Sequence, residues 1–291
     1  MPRVAIERTM ISRRFFLCGG AAALGISSLR RGSARARGLK IGVTDWNLHL
    51  TGKVDAVALA SQVGFDGVQV SLGRKPSNGK LLLDDEAVQQ QFLTAAKLRK
   101  IPIDGTCLDI LHVNYLKNDK LGQKWVADAI PITKKLNARV ILLPFFGKGA
   151  LTTHEEMDYV GDALREIAPD AEKAGVILGL EDTISAEENV RIMERAKSPA
   201  VLTYYDVGNS TQGGFDVVKE IRWLGKDRIC QFHLKDNPNY LGEGKIDFPP
   251  IMKAIEDIGF HGFANLETDS PSHAVEADMG KNLRYVRRLI G

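Results

Sequence analysis

The chain has 291 residues, 44% of them hydrophobic, and a formal net charge of +3. The basic excess sits at the front: residues 1–36 hold seven arginines and one acid, Glu7, and the remainder carries −3, so composition offers no support for a nucleic-acid partner. Three cysteines in a chain of this length exclude a disulfide scaffold, and no stretch beyond residue 36 approaches the eighteen apolar residues of a membrane span.

In chain order, Ser12-Arg13-Arg14-Phe15-Phe16-Leu17 matches the twin-arginine export pattern. A small-residue stretch over 18–29 and an Ala34-Arg35-Ala36 cleavage site follow. Residues 1–36 are therefore read as a signal peptide for the twin-arginine export machinery, and residues 37–291 as one domain working in the periplasm. Strand-like runs then begin near Leu39, Gly67, Ile101, Arg139, Val176, Val201, Arg228 and Gly262. Helical patterns fill the gaps at 54–63, 84–100, 123–136, 154–174, 186–196, 216–224 and 248–258, and a last one covers 274–289. Gly175 is placed as a helix C-cap and Asp247 as an N-cap, and the last helix is expected to begin after Ser270-Pro271-Ser272, which offer good cap and first-turn chemistry. Strands that alternate with helices need parallel pairing and right-handed crossovers. Eight such units predict an α/β fold, the (β/α)8 TIM barrel. An open doubly wound sheet is the alternative, but no G-x-G-x-x-G follows the first strand. Cys107 and Cys230 fall inside apolar runs far apart around this barrel and are read as buried thiols.

The chemistry is written at the strand ends. Four consecutive apolar runs each finish on an ionisable residue: Glu181, Asp206, His233 and Glu267. A single such residue is ordinarily a cap, a surface charge or a hydrogen-bonded core group. Four at the C-terminal ends of consecutive barrel strands converge on one rim, where active sites of this fold lie. Three carboxylates and an imidazole suit one divalent ion, Mn²⁺ or Mg²⁺ first, with Co²⁺, Ni²⁺ or Zn²⁺ also accommodated. Lys235 is either a cation that polarises a substrate oxygen or a surface partner of Asp236. Trp46, beyond the first strand, is placed to stack on a substrate face or to anchor a loop. His112, beyond the third strand, is a hydroxyl contact or a solvated loop histidine, and Phe145 and Phe146 are candidate pocket walls.

From about Lys40 to Arg287 the chain resembles the sugar phosphate isomerase/epimerase family of xylose isomerase-like barrels. The resemblance rests on Glu181-Asp182, Tyr205-Asp206-Val207-Gly208-Asn209 and His233-Leu234-Lys235-Asp236, with Gly242-Glu243-Gly244-Lys245-Ile246-Asp247 and Leu266-Glu267. It implies that Glu181, Asp206, His233 and Glu267 hold the ion and that Glu181 and Glu267 are the catalytic acid and base. It also implies isomerisation or epimerisation of a sugar or sugar-like polyol through proton abstraction and a metal-stabilised enediolate. Asn209 departs from the pattern, since many relatives carry histidine there; an amide can bind substrate but cannot shuttle a proton at neutral pH. Only six histidines occur, and no Asp-x-His follows His233, which disfavours a three-metal phosphodiesterase. Two rivals use the same residues: a keto-glycoside lyase or hydrolase, and a non-catalytic sugar- or metal-binding barrel. The export signal favours unphosphorylated sugars, and a homo-oligomer is left open.

Overall fold

Short runs rich in Val, Ile and Leu, each bounded by turn residues, form the strands β1 (Leu39–Thr44), β2 (Gly67–Ser71), β3 (Ile103–Cys107) and β4 (Val140–Pro144). They continue with β5 (Ile177–Glu181), β6 (Val201–Asp206), β7 (Ile229–Leu234) and β8 (Gly262–Leu266). The computed structural model describes residues 38–291, so the signal-peptide reading of 1–36 lies outside the described residues. Every pairing is parallel and the sheet closes in chain order, with Leu39 of β1 opposite Gly262 of β8. The (β/α)8 barrel expected from the alternation is the observed fold.

Helices α1 (Asp55–Val63), α2 (Glu86–Arg99), α3 (Lys120–Lys135), α4 (His154–Ala174) and α5 (Ala186–Ala196) follow the first five strands. Next come α6 (Val207–Gln212), α7 (Val217–Leu224), α8 (Phe248–Asp257) and α9 (Val275–Ile290). Strand residues two apart share a face, so one set packs outward under the helices and the other fills the barrel. Ile41, Val43, Val68, Val70, Leu178 and Leu180 belong to the large core that also takes in helix residues such as Ala56, Val126 and Leu164. A small separate cluster holds Cys107, Val140, Leu142 and Tyr204, with Trp46, Ile177 and Cys230 against it. Both cysteines are free thiols in that one cluster, although their strands are distant in sequence, and Cys230 is only partly buried. No helix among the described residues is long and apolar enough to cross a membrane.

Helix ends follow cap chemistry. Thr153 accepts from Glu156 N at the start of α4, and Gly175 ends it at φ 71°. Ser185 and Glu188 form a reciprocal capping box on α5. Three expectations need correction. Helix α3 starts three residues early because Asp119 caps it through Leu121 N. Asp247 occupies the cap position of α8 but makes no side-chain cap bond. Ser270 and Ser272 do not cap α9; their hydroxyls donate to Asp278 Oδ2 and Oδ1 inside it, and the helix begins at Val275, one residue after the expected Ala274.

Candidate metal centre

Glu181, Asp206 and His233 end or nearly end β5, β6 and β7, and Glu267 follows β8 by one residue. Parallel strands of similar length deliver these side chains to the same mouth. One ligand atom from each lies within 4.8 Å of the others. Glu181, Asp206 and His233 are buried, while the Glu267 side chain is 17% exposed. His233 turns Nδ1 to the carboxylates, 2.7 Å from Glu181 Oε1, 3.5 Å from Glu267 Oε2 and 3.7 Å from Asp206 Oδ2. Three hard oxygens and one imidazole nitrogen in so small a space fit a divalent cation.

Asp206 serves two masters. Its Oδ1 accepts from Asn209 N at 2.8 Å, capping the short helix α6, and its Oδ2 is left facing the cluster. Lys235 Nζ sits 2.8 Å from Asp206 Oδ2 and 2.6 Å from Glu267 Oε2. It therefore pairs with the cluster and not with Asp236, whose oxygens accept from Lys245 N and Ile246 N instead. Trp46 Nε1 donates to Glu267 Oε1 at 3.0 Å, and its ring meets His233 edge-on at 5.9 Å.

The ionisation states diverge. Burial, reinforced by the charge of Glu267, pushes the Glu181 carboxyl well above the usual range. Burial also lifts Asp206, to about 7, against the pull of Lys235. Burial opposes charge on Glu267 too, but His233 and Lys235, with Lys235 and Trp46 hydrogen-bonding to it, hold it down at about 2. Burial lowers His233. Lys235 is raised despite its burial, because Asp206 and Glu267 face it. Without an ion, then, the two glutamates are displaced in opposite directions, Glu181 upward and Glu267 downward.

A cavity of about 800 Å³ opens onto this cluster. Trp46, Asn209, Lys235 and His112 all line it, as the sequence expects of substrate contacts. His112 is half-buried in a 3-10 turn (Asp109–His112) and stacks on Phe146, 6.2 Å between ring centres, so it is not a solvated loop residue. Phe146 forms part of the wall, whereas Phe145 is buried in the core. Gln69 escaped the sequence reading: its Oε1 lies 2.9 Å from His233 Nε2. The signal was there, a glutamine in the middle of the otherwise apolar Gly67-Val-Gln-Val run.

Known proteins share this arrangement of elements. The chain is 26% identical over 203 residues to the 2-epi-5-epi-valiolone 7-phosphate 2-epimerase of an Actinoplanes species, covering 68% of this chain and 73% of that one. It is 24% identical over 231 residues to the fructoselysine 3-epimerase of Shigella flexneri, covering 72% and 82%. The crystal structure of the D-allulose 3-epimerase of a Methylomonas species, in complex with D-allulose, superposes with a TM-score of 0.71 at 16% identity, over 86% of this chain and 97% of that one. The xylose isomerase-like TIM barrel family matches residues 57–289, nearly all of the barrel, and the chain belongs to it.

Proposed function

We propose that the protein is a divalent-metal-dependent isomerase or epimerase of a sugar or sugar-like polyol, exported to the periplasm. The observation that carries this reading is the convergence of Glu181, Asp206, His233 and Glu267 beneath one cavity. The epimerase names of the curated relatives agree with it. A bound divalent cation would supply a Lewis acid that acidifies the C–H beside a substrate carbonyl. The remaining work falls to side chains. Glu267 keeps Oε2 toward His233 and Lys235, while Trp46 orients Oε1, leaving an ionised oxygen to accept a proton from carbon. Glu181 is the partner that returns one. Lys235 and the Asn209 amide bind substrate oxygens.

Elemental analysis of exported protein tests the site, and NMR screening in D₂O tests the reaction. The expected result is one divalent ion per chain and deuterium uptake at carbon from one member of a panel of free and phosphorylated ketoses, inososes and 3-keto-glycosides. Release of an aglycone would select the lyase rival, and tight binding without any exchange the binding barrel. Glu267→Gln and His233→Ala are each expected to lower metal occupancy at least about tenfold; occupancy unchanged in both sinks the assignment.

A further inference from the structure

Beneath the cluster runs a chain of buried polar groups that the proposed reaction does not use. His233 Nε2 lies 2.9 Å from Gln69 Oε1. The Tyr204 hydroxyl donates to the same oxygen at 3.2 Å and accepts from Asn265 Nδ2 at 3.0 Å. Asn265 Nδ2 also donates to Asp104 Oδ1 at 3.0 Å. Gln69, His233 and Asn265 have no exposed surface and Tyr204 has 1%. The chain has a direction. Asn265 supplies the hydrogen to the phenol oxygen, so the phenol's own hydrogen is free for Gln69. An amide oxygen only accepts. With Oε1 fixed on this side, the hydrogen between Gln69 and His233 must sit on Nε2. The opposite nitrogen, Nδ1, then presents its lone pair to Glu181, Asp206 and Glu267.

We infer that Gln69 is a positioning residue that locks His233 as its Nε2–H tautomer, with Tyr204 and Asn265 fixing the orientation of the Gln69 amide. The inference rests on the reading of His233 as a metal ligand, but half of its test does not. Two-bond ¹H–¹⁵N correlation spectra of histidine-labelled, chelator-stripped protein report the tautomer without any metal; the His233 signals are assigned by their loss in His233→Ala. Wild type is expected to show the Nε2–H pattern. Gln69→Leu is expected to lose it and to bind Mn²⁺ about 10- to 100-fold more weakly by calorimetry. Should Gln69→Leu fail to fold, Tyr204→Phe, which removes only the hydroxyl lock, is expected to give a mixture of tautomers. An Nδ1–H pattern in wild type, or an unchanged tautomer and unchanged Mn²⁺ affinity in folded Gln69→Leu or Tyr204→Phe, overturns the inference. Wild-type protein that shows the Nε2–H pattern yet fails to bind Mn²⁺ would instead overturn the metal reading and leave the tautomer lock standing.

Discussion

Asp206 uses its two oxygens in opposite directions, one as the cap of α6 and the other toward the cluster. The bond to α6 comes from the Asn209 backbone, so the Asn209 side chain is not needed to hold it. Its buried Nδ2 has no hydrogen-bond partner and lines the cavity. Asn209→Ala is therefore expected to keep metal occupancy within about twofold of wild type by elemental analysis, while raising KM about tenfold, the cost of one hydrogen bond to a polar substrate. A fall in occupancy with KM unchanged would show that the amide serves the ion and not the substrate. The four cluster residues were legible because each interrupts an apolar run. Lys235 was only half legible: its neighbour in sequence suggested the wrong partner. Consecutive residues leaving a strand point to opposite sides, so Lys235 reaches Asp206 and Glu267 while Asp236 turns to the Lys245–Ile246 backbone.

Among the elements, two helices with strong caps could be read to the residue. Helix α4 is bounded by Thr153 and Gly175 and α5 by Ser185, and both match their expected limits. Helix α6 was missed because it is six residues long and its cap is a cluster residue. The start of α9 was read to within one residue, but the serines expected to cap it bond to Asp278 instead. The strands were legible throughout, since parallel barrel strands buried on both faces read as continuous apolar runs. Ser185→Ala removes one half of the α5 capping box and is expected to cost about 1 kcal/mol in chemical denaturation. The site lies at the other end of that loop, so Mn²⁺ affinity should not move; a coupled loss would mean that the β5–α5 loop positions Glu181.

Across the whole molecule, buried carboxyls set the response to pH. Burial raises Asp45 to about 7, against hydrogen bonds from Gly52 and Ser71, and raises Asp182 to about 7, against Asn189 and Ile184. Glu181 and Asp206 are displaced in the same direction when no ion is bound. In the unfolded chain such groups titrate near 4. The folded state binds their protons more tightly, so the contribution of Asp45, Asp182 and Asp206 is full below about pH 4 and is lost as pH rises through about 7. Glu156 and Asp278, each brought to about 2 by hydrogen bonds that outweigh burial, act the other way, but only below about pH 4.5. His233 and His112, both lowered by burial, oppose this up to about pH 6.5, where unfolded histidine gives up its proton. With more carboxyls than histidines displaced, metal-free protein is expected to melt at a lower temperature at pH 8 than at pH 5. Asp182→Asn should flatten that slope; a wild-type Tm that rises over the interval refutes the assignment.

Lys235 has a consequence for the order of assembly. Its ammonium stands between Asp206 and Glu267, where the chain supplies its own counter-charge to carboxylates that would otherwise repel one another. If the proposed ion binds here, the barrel can close first and take it up afterwards, unlike small domains that collapse only around their metal. A chelator should empty the protein while its far-UV circular dichroism stays native, and the same stripping applied to Lys235→Met should lower the melting temperature further than it does in wild type. Equal losses in the two proteins would mean that the ion, and not the lysine, holds the mouth of the barrel together.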